Sequence, residues 1–169
     1  IMNHAKSPVA RSLDRVRQNH ALEHATIAVL MESGVQPPLA GYSLTNGFLI
    51  YGHISTENLS AAAHQALDRL ESGERELAVS AYCGTNLVVS ATLAGLFGAV
   101  ILYKPQSRWK RLPLVMAGGI LAAIVGRPLG KVAQRRYTTL PDTQGFDVQG
   151  VYQLGLSRLH WISTQSLVT

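Results

Sequence analysis

The chain reads as an α+β head carrying a transmembrane helical hairpin. Three observations carry that reading. Helix-period and strand-period apolar patterns alternate through the first 83 residues. The twenty residues from Gly84 to Tyr103 contain no charge, and a second uncharged run covers Leu112 to Gly126. Charged residues make up only 15 % of the 169 positions, against about 25 % in an ordinary soluble domain. The expected organisation is a head over 1–83 (helix, β-hairpin, helix, strand), a two-span hairpin over 84–132, and a C-terminal segment over 133–169. That last segment contributes a strand and packs back on the head or the membrane surface.

The first helix runs from Arg11 to Ser33 and is stopped by Gly34. At about 100° per residue, Leu13, His20, His24, Ile27 and Met31 share one face, with Glu23 at its edge. Pro37 and Pro38 break the chain. Leu39–Leu44 and Phe48–Ile54 then flank Thr45-Asn46-Gly47, a strong hairpin signal. Ser55 or Thr56 caps a helix that reaches Ser72, with Gly73 behind it. Its apolar stripe is Leu59, Ala62, Ala63, Ala66, Leu67 and Leu70, and His64 lies off it in solvent. Leu77 to Cys83 alternates as a short strand.

Gly84–Tyr103 matches a hydrocarbon layer of about 30 Å at about 1.5 Å per residue. Lys104, Arg108, Lys110 and Arg111 form the connecting turn, with Tyr103 and Trp109 as interfacial anchors. Leu112–Gly126 is short for a span, and snorkelling by Arg127 and Lys131 lengthens it. Small residues recur at helical spacing, Ala91/Gly95 and Ala94/Gly98 in the first run and Gly118/Ala122/Gly126 in the second. Such faces let helices approach closely in lipid. Beyond Arg136 the chain turns polar. Phe146–Leu154 reads as one or two strands, and Leu159-His160-Trp161-Ile162 reads as an interfacial anchor.

His20-Ala21-Leu22-Glu23-His24 spells H-x-x-E-H. Imidazoles at i and i+4 project side by side and suit two corners of a zinc site. A glutamate at i+3 is placed to take a proton from metal-bound water. The motif resembles the inverted zinc-peptidase signature of the inverzincins. The competing reading is a structural pair hydrogen-bonded to backbone carbonyls. Catalytic zinc needs a third protein ligand, and no second motif identifies it. Cys83, at the opening of the first apolar helix, is one candidate, because a thiol there is shifted towards thiolate. Asp142, which follows the hairpin, is another, and Glu57 and His53 come after them. Cys83 also fits a small core residue, or a nucleophile if a histidine base reached it. As the single cysteine it excludes an internal disulfide.

The phrases Asn-His-Ala-Leu-Glu-His-Ala-Thr (19–26), Cys-Gly-Thr-Asn (83–86) and Gly-Arg-Pro-Leu-Gly (126–130) resemble an uncharacterised bacterial membrane family, a domain of unknown function. The resemblance covers roughly residues 16–155. It implies a two-span protein with an α+β head in photosynthetic and related phyla, and it assigns no activity.

Two functions follow as expectations. One is a membrane-anchored zinc hydrolase, most simply a metallopeptidase, in which His20 and His24 hold zinc, Cys83 or Asp142 completes the ligand set, and Glu23 activates water. The other is a non-catalytic accessory subunit or assembly factor of a larger, photosynthetic membrane complex, or a homo-oligomer. The net charge of +5 lies largely beside apolar segments, which points to anionic lipid and away from nucleic acid. Residues 1–19 are polar and show no cleavable leader. With the free thiol, this favours the cytoplasmic side of a bacterial inner or photosynthetic membrane for the head. The four basic residues of the loop balance the four after the second run, and the positive-inside rule leaves the side open.

Overall fold

A computed structural model describes residues 7–103, 108–155 and 158–166 of the chain. It divides into two compact units, Ile1–Ser80 with Tyr137–Thr169, and Ala81–Arg136.

In the first unit, α1 (Pro8–Glu32) starts with Pro8 in its first turn and with the Ser7 side chain accepting from Ala10 N. The strands β1 (Ala40–Leu44) and β2 (Gly47–Tyr51) form the expected hairpin. The helix α2 (Thr56–Glu71) is capped by Ser55, whose side chain accepts from Asn58 N. Gly34 and Gly73 follow the two helices at φ of 93° and 103°, a left-handed conformation that a Cβ would strain. The strands β3 (Phe146–Gln153) and β4 (Leu159–Ser166) come from the far end of the chain. The sheet is antiparallel in the order β1-β2-β4-β3. Helices α1 and α2 pack over one face of it, around Leu22, Phe48, Ile50, Leu59 and Ile162.

Two expected elements differ. Leu77–Cys83 is not a strand: Arg75–Ala78 forms a 3-10 turn and the chain runs on irregularly to Cys83. Its apolar side chains alternate, but it pairs with none of the four strands of the sheet. Leu159-His160-Trp161-Ile162 belongs to β4 and is not a membrane anchor. Ile162 is fully buried and pairs with Phe48 across the sheet. The inward residues His160 and Thr164 are polar, which hides the alternation from a hydropathy reading.

The core face of α1 also differs from the expected stripe. Leu22, Ala25, Val29 and Leu30 are buried, whereas Leu13 is 58 % and Met31 37 % exposed. Between Asn19 and Thr26, however, the helix is covered on several sides. The hairpin, α2 and the 3-10 turn pack against it. Residues 138–142 also lie along it, with Leu140 N donating to Arg17 O and Gln18 Nε2 to Asp142 O. This enclosure buries side chains off the core face as well.

Asn19 shows what the enclosure holds together. Its Nδ2 donates to Leu44 O and Thr45 O at the hairpin turn, and its Oδ1 accepts from Thr164 Oγ1 on β4. Asn19→Ala breaks three bonds at a fully buried position and strands their partners. The head should lose about 2–4 kcal/mol, read from its denaturant midpoint.

His160 presents the opposite case. It is 1 % exposed, and among the described residues neither ring nitrogen has a hydrogen-bond partner. His160→Leu removes that unmet polarity and should raise head stability by about 1 kcal/mol. A lower thermal midpoint would show that the ring is satisfied in solution.

At the surface, Arg69 on α2 ties Glu32 of α1 to Glu74. Hydrogen bonding from its guanidinium holds the Glu74 carboxyl below the usual carboxylate range.

The second unit is a helical hairpin, α3 (Gly84–Leu102) and α4 (Arg108–Ala133). Both are long and apolar enough to cross a membrane, and only 6 % and 11 % of their apolar windows are buried. Core helices of a soluble fold would be covered. The 19 residues of α3 rise about 28 Å, the thickness of a hydrocarbon layer. Tyr82 at one end, and Tyr103 and Trp109 at the other, are more than four-fifths exposed, as interfacial aromatics are. Lys104 lies outside the described residues. On α4 the seam uses small residues as expected: Gly118 packs on Phe97, Ala122 is fully buried and Gly126 packs on Ser90, and Gly130, outside the expected set, packs on Asn86. On α3 it does not. Gly95 and Gly98 have nothing within 4 Å of a Cβ position, and Asn86, Ser90, Phe97 and Ile101 make the contacts. Asn86 binds Ala81 O and accepts from Gln134 Nε2, a polar lock at the buried end of the seam.

Candidate metal centre

His20 and His24 leave α1 one turn apart. Their ring centroids are 4.3 Å apart with planes at 60°, and each offers a ring nitrogen within 4.8 Å of the other's. Both rings are anchored in the same way. His24 Nδ1 lies 2.9 Å from Ala78 O in the 3-10 turn. His20 Nδ1 lies 2.9 Å from Thr138 O, at the end of the π-helical turn Gln134–Thr138. A carbonyl only accepts, so each Nδ1 carries the hydrogen, and the neutral ring then presents its lone pair at Nε2. Metal-binding histidines are held in this manner, the outer N–H fixed by a carbonyl so that the inner nitrogen faces the ion.

These bonds are also what a purely structural pair would make, so they do not separate the two readings. The Nε2 of His24 bears on the choice. It is buried and, among the described residues, has no hydrogen-bond partner. An enclosed lone pair with no donor is unfavourable by about 1–3 kcal/mol. A cation bound there removes that penalty. The donor set of two neutral imidazoles fits zinc.

Glu23 is 5 % exposed and points towards β1. Its Oε2 accepts from Ser43 Oγ at 2.5 Å. Gly41, two residues earlier on the same face of β1, packs directly against the carboxylate, where a Cβ would overlap it. Strand β1 is thus shaped around this one side chain, by space at Gly41 and a donor at Ser43. Neither residue was singled out from the sequence, although the period of two in Gly41-Tyr42-Ser43 places both beside α1 once the hairpin is docked.

Cys83 belongs to the second unit. It is half-buried and forms the N-cap of α3, with Sγ accepting from Thr85 N. The expectation that it opens that helix is met, but no strand precedes it. Asp142 is exposed, and its main-chain carbonyl, not its carboxylate, engages α1 through Gln18. No group of three metal-binding side chains among the described residues includes it. Glu57 in the first turn of α2 and His53 are exposed as well.

Comparison with known proteins adds the family. Residues 15–151 match the model of a domain of unknown function, DUF6391. An uncharacterized protein of Picosynechococcus sp. is 37 % identical over 142 residues, which cover 78 % of this chain and 69 % of that protein. No solved structure matches the chain. The matched segment takes in most of α1, the first hairpin, both apolar helices and most of β3, and the chain belongs to the DUF6391 family.

Proposed function

We propose that this is a membrane-anchored zinc protein whose head holds the ion on His20 Nε2 and His24 Nε2. The buried, unpartnered Nε2 of His24 is the observation that carries the reading. Cys83 is the proposed third ligand. It follows Ala78, whose carbonyl orients His24, by only five residues, and at about 3.5 Å per residue the chain keeps the thiol within reach. Two imidazoles and one thiolate leave a fourth tetrahedral position for water, the arrangement of a catalytic zinc. Glu23, held by Ser43, is the proposed base for that water, which makes hydrolysis the reaction class and a peptide bond the first substrate to try.

The supporting experiment is metal analysis of protein purified without chelator. About one zinc per chain is expected. Glu23→Gln should retain the zinc while hydrolysis falls by about 100-fold or more. Metal-free protein that stays empty when zinc is supplied removes the proposal.

A second reading, an accessory subunit of a larger membrane complex, draws support from the outward glycines Gly95 and Gly98 of α3. They leave a face on which another helix can lie closely. Co-purification with such a complex at fixed stoichiometry supports it. The two readings are compatible, because a subunit can carry a zinc site.

A further inference from the structure

The charge of the chain is divided unevenly between its two units. Residues 81–136 contain eight Lys and Arg and no Asp or Glu, whereas the remainder contains seven basic and ten acidic residues. The basic character therefore belongs entirely to the hairpin. Four of its cations sit at the loop, and Arg127, Lys131, Arg135 and Arg136 sit towards the opposite end.

The seam fixes the depth of two of them. Gly126 lies against Ser90 and Gly130 against Asn86, so the helices run antiparallel with Arg127 level with Val89 and Lys131 level with Thr85. Val89 is five residues inside the start of α3, about 7 Å along the axis. Arg127 thus leaves α4 within the apolar layer. Both side chains are exposed on the outside of the hairpin. Their spacing of four residues puts them on one face of α4, one above the other.

A cation on the lipid-facing surface at this depth is unfavourable unless it finds a counter-charge. None is available within the hairpin, which has no acidic residue. The stem of Arg127 is long enough to carry its guanidinium to headgroup level, where Lys131 already stands. A planar guanidinium with an ammonium beside it matches the oxygens of a phosphodiester.

We propose that Arg127 and Lys131 form a binding site for the phosphate of an anionic phospholipid, in the leaflet at the end of the hairpin opposite its loop. The lipid supplies the charge that the hairpin lacks, and its acyl chains lie along the exposed apolar surface of α4. The inference requires the hairpin to span a bilayer but not the zinc site.

The test uses the full chain. Membranes are first washed with alkaline carbonate, and loss of the protein in that wash overturns the spanning reading itself. Protein that stays is extracted, exchanged into mixed micelles of phosphatidylcholine and phosphatidylglycerol, and its retained lipids are counted by native mass spectrometry. The wild type should keep phosphatidylglycerol preferentially. Arg127→Gln with Lys131→Gln should lower that retention by about tenfold or more. Lys110→Gln, at the loop, should leave it unchanged. Inorganic phosphate at millimolar concentration should not displace the lipid; displacement would assign the site to free phosphate instead. Equal phosphatidylglycerol retention by the double variant and the wild type overturns the proposal, as does an equal loss in Lys110→Gln.

Discussion

Replacing His24 by alanine should leave the head folded and strip it of zinc. The ring contributes the Nε2 that has no partner among the described residues, and its loss removes one of the two imidazoles grouped there. Disturbing an outer partner of a metal ligand lowers affinity by about 10–100-fold, and removing a ligand should exceed that. We expect zinc affinity to fall by more than about 100-fold, with the variant protein purifying metal-free. His20→Ala should behave alike, because both rings are held by the same kind of carbonyl bond. The stability readout separates this from a structural pair. A structural pair would show a large loss of head stability with or without added zinc. A ligand pair adds, to any loss from emptying the buried ring site, a gain from added zinc that the wild type shows and the variant does not. Isothermal titration with zinc and thermal denaturation of the same samples decide the matter.

The second large effect is expected in the hairpin. A Cβ at Gly130 would stand 2.8 Å from the main-chain Cα of Asn86, which cannot move aside as a side-chain tip can. Gly130→Val should therefore push α4 off α3 and break the Gln134 Nε2–Asn86 Oδ1 bond, which is buried between the helices. Overpacking of about 1–3 kcal/mol, with the unmet polar groups added, places the loss at about 2–5 kcal/mol. Gly126→Val, against Ser90, should act in the same direction. Gly95→Val is the control, since nothing lies within 4 Å of its Cβ position. Unfolding in mixed micelles, followed by helix content, should show the first two variants weakened and the third unchanged. Weakening by Gly95→Val to the same extent would mean that α3 turns its other face to α4.

Much of this fold can be read from local chemistry. Asn46-Gly47 marks the first hairpin, Ser55 the start of α2, and the charge-free run after Cys83 the first apolar helix. What escaped were features that depend on distant partners. Strand β4 belongs between β2 and β3, yet its inward positions include His160 and Thr164, so its hydropathy does not alternate. The alternating run Leu77–Cys83 joins no sheet: Arg75–Ala78 turns as a 3-10 helix, and the adjacent residues Leu77 and Ala78 both pack on the core.

The candidate site was legible in a similar way. His20, Glu23 and His24 stand out because three titratable groups recur at helical spacing among alanines and a leucine. The helical face they share does not account for their burial. The stripe through Leu13 and Met31 is not the core face, and the histidines are covered because residues 138–142 and the 3-10 turn close over that side of α1. A helical projection cannot reveal a covering segment more than 110 residues away. The same limit hid Ser43 and Gly41, whose relation to Glu23 exists only once β1 has docked. In Asn19–Thr26, Asn19 and Leu22 serve the fold, while His20 and His24 bind main-chain carbonyls and Glu23 binds Ser43.

Zinc-edge X-ray absorption on the purified full-length protein tests the central claim most directly. The expected spectrum contains two imidazole nitrogens at about 2.0 Å and one sulfur at about 2.3 Å, and the sulfur shell disappears in Cys83→Ser. A zinc shell made only of oxygen, without imidazole scattering, would contradict the account.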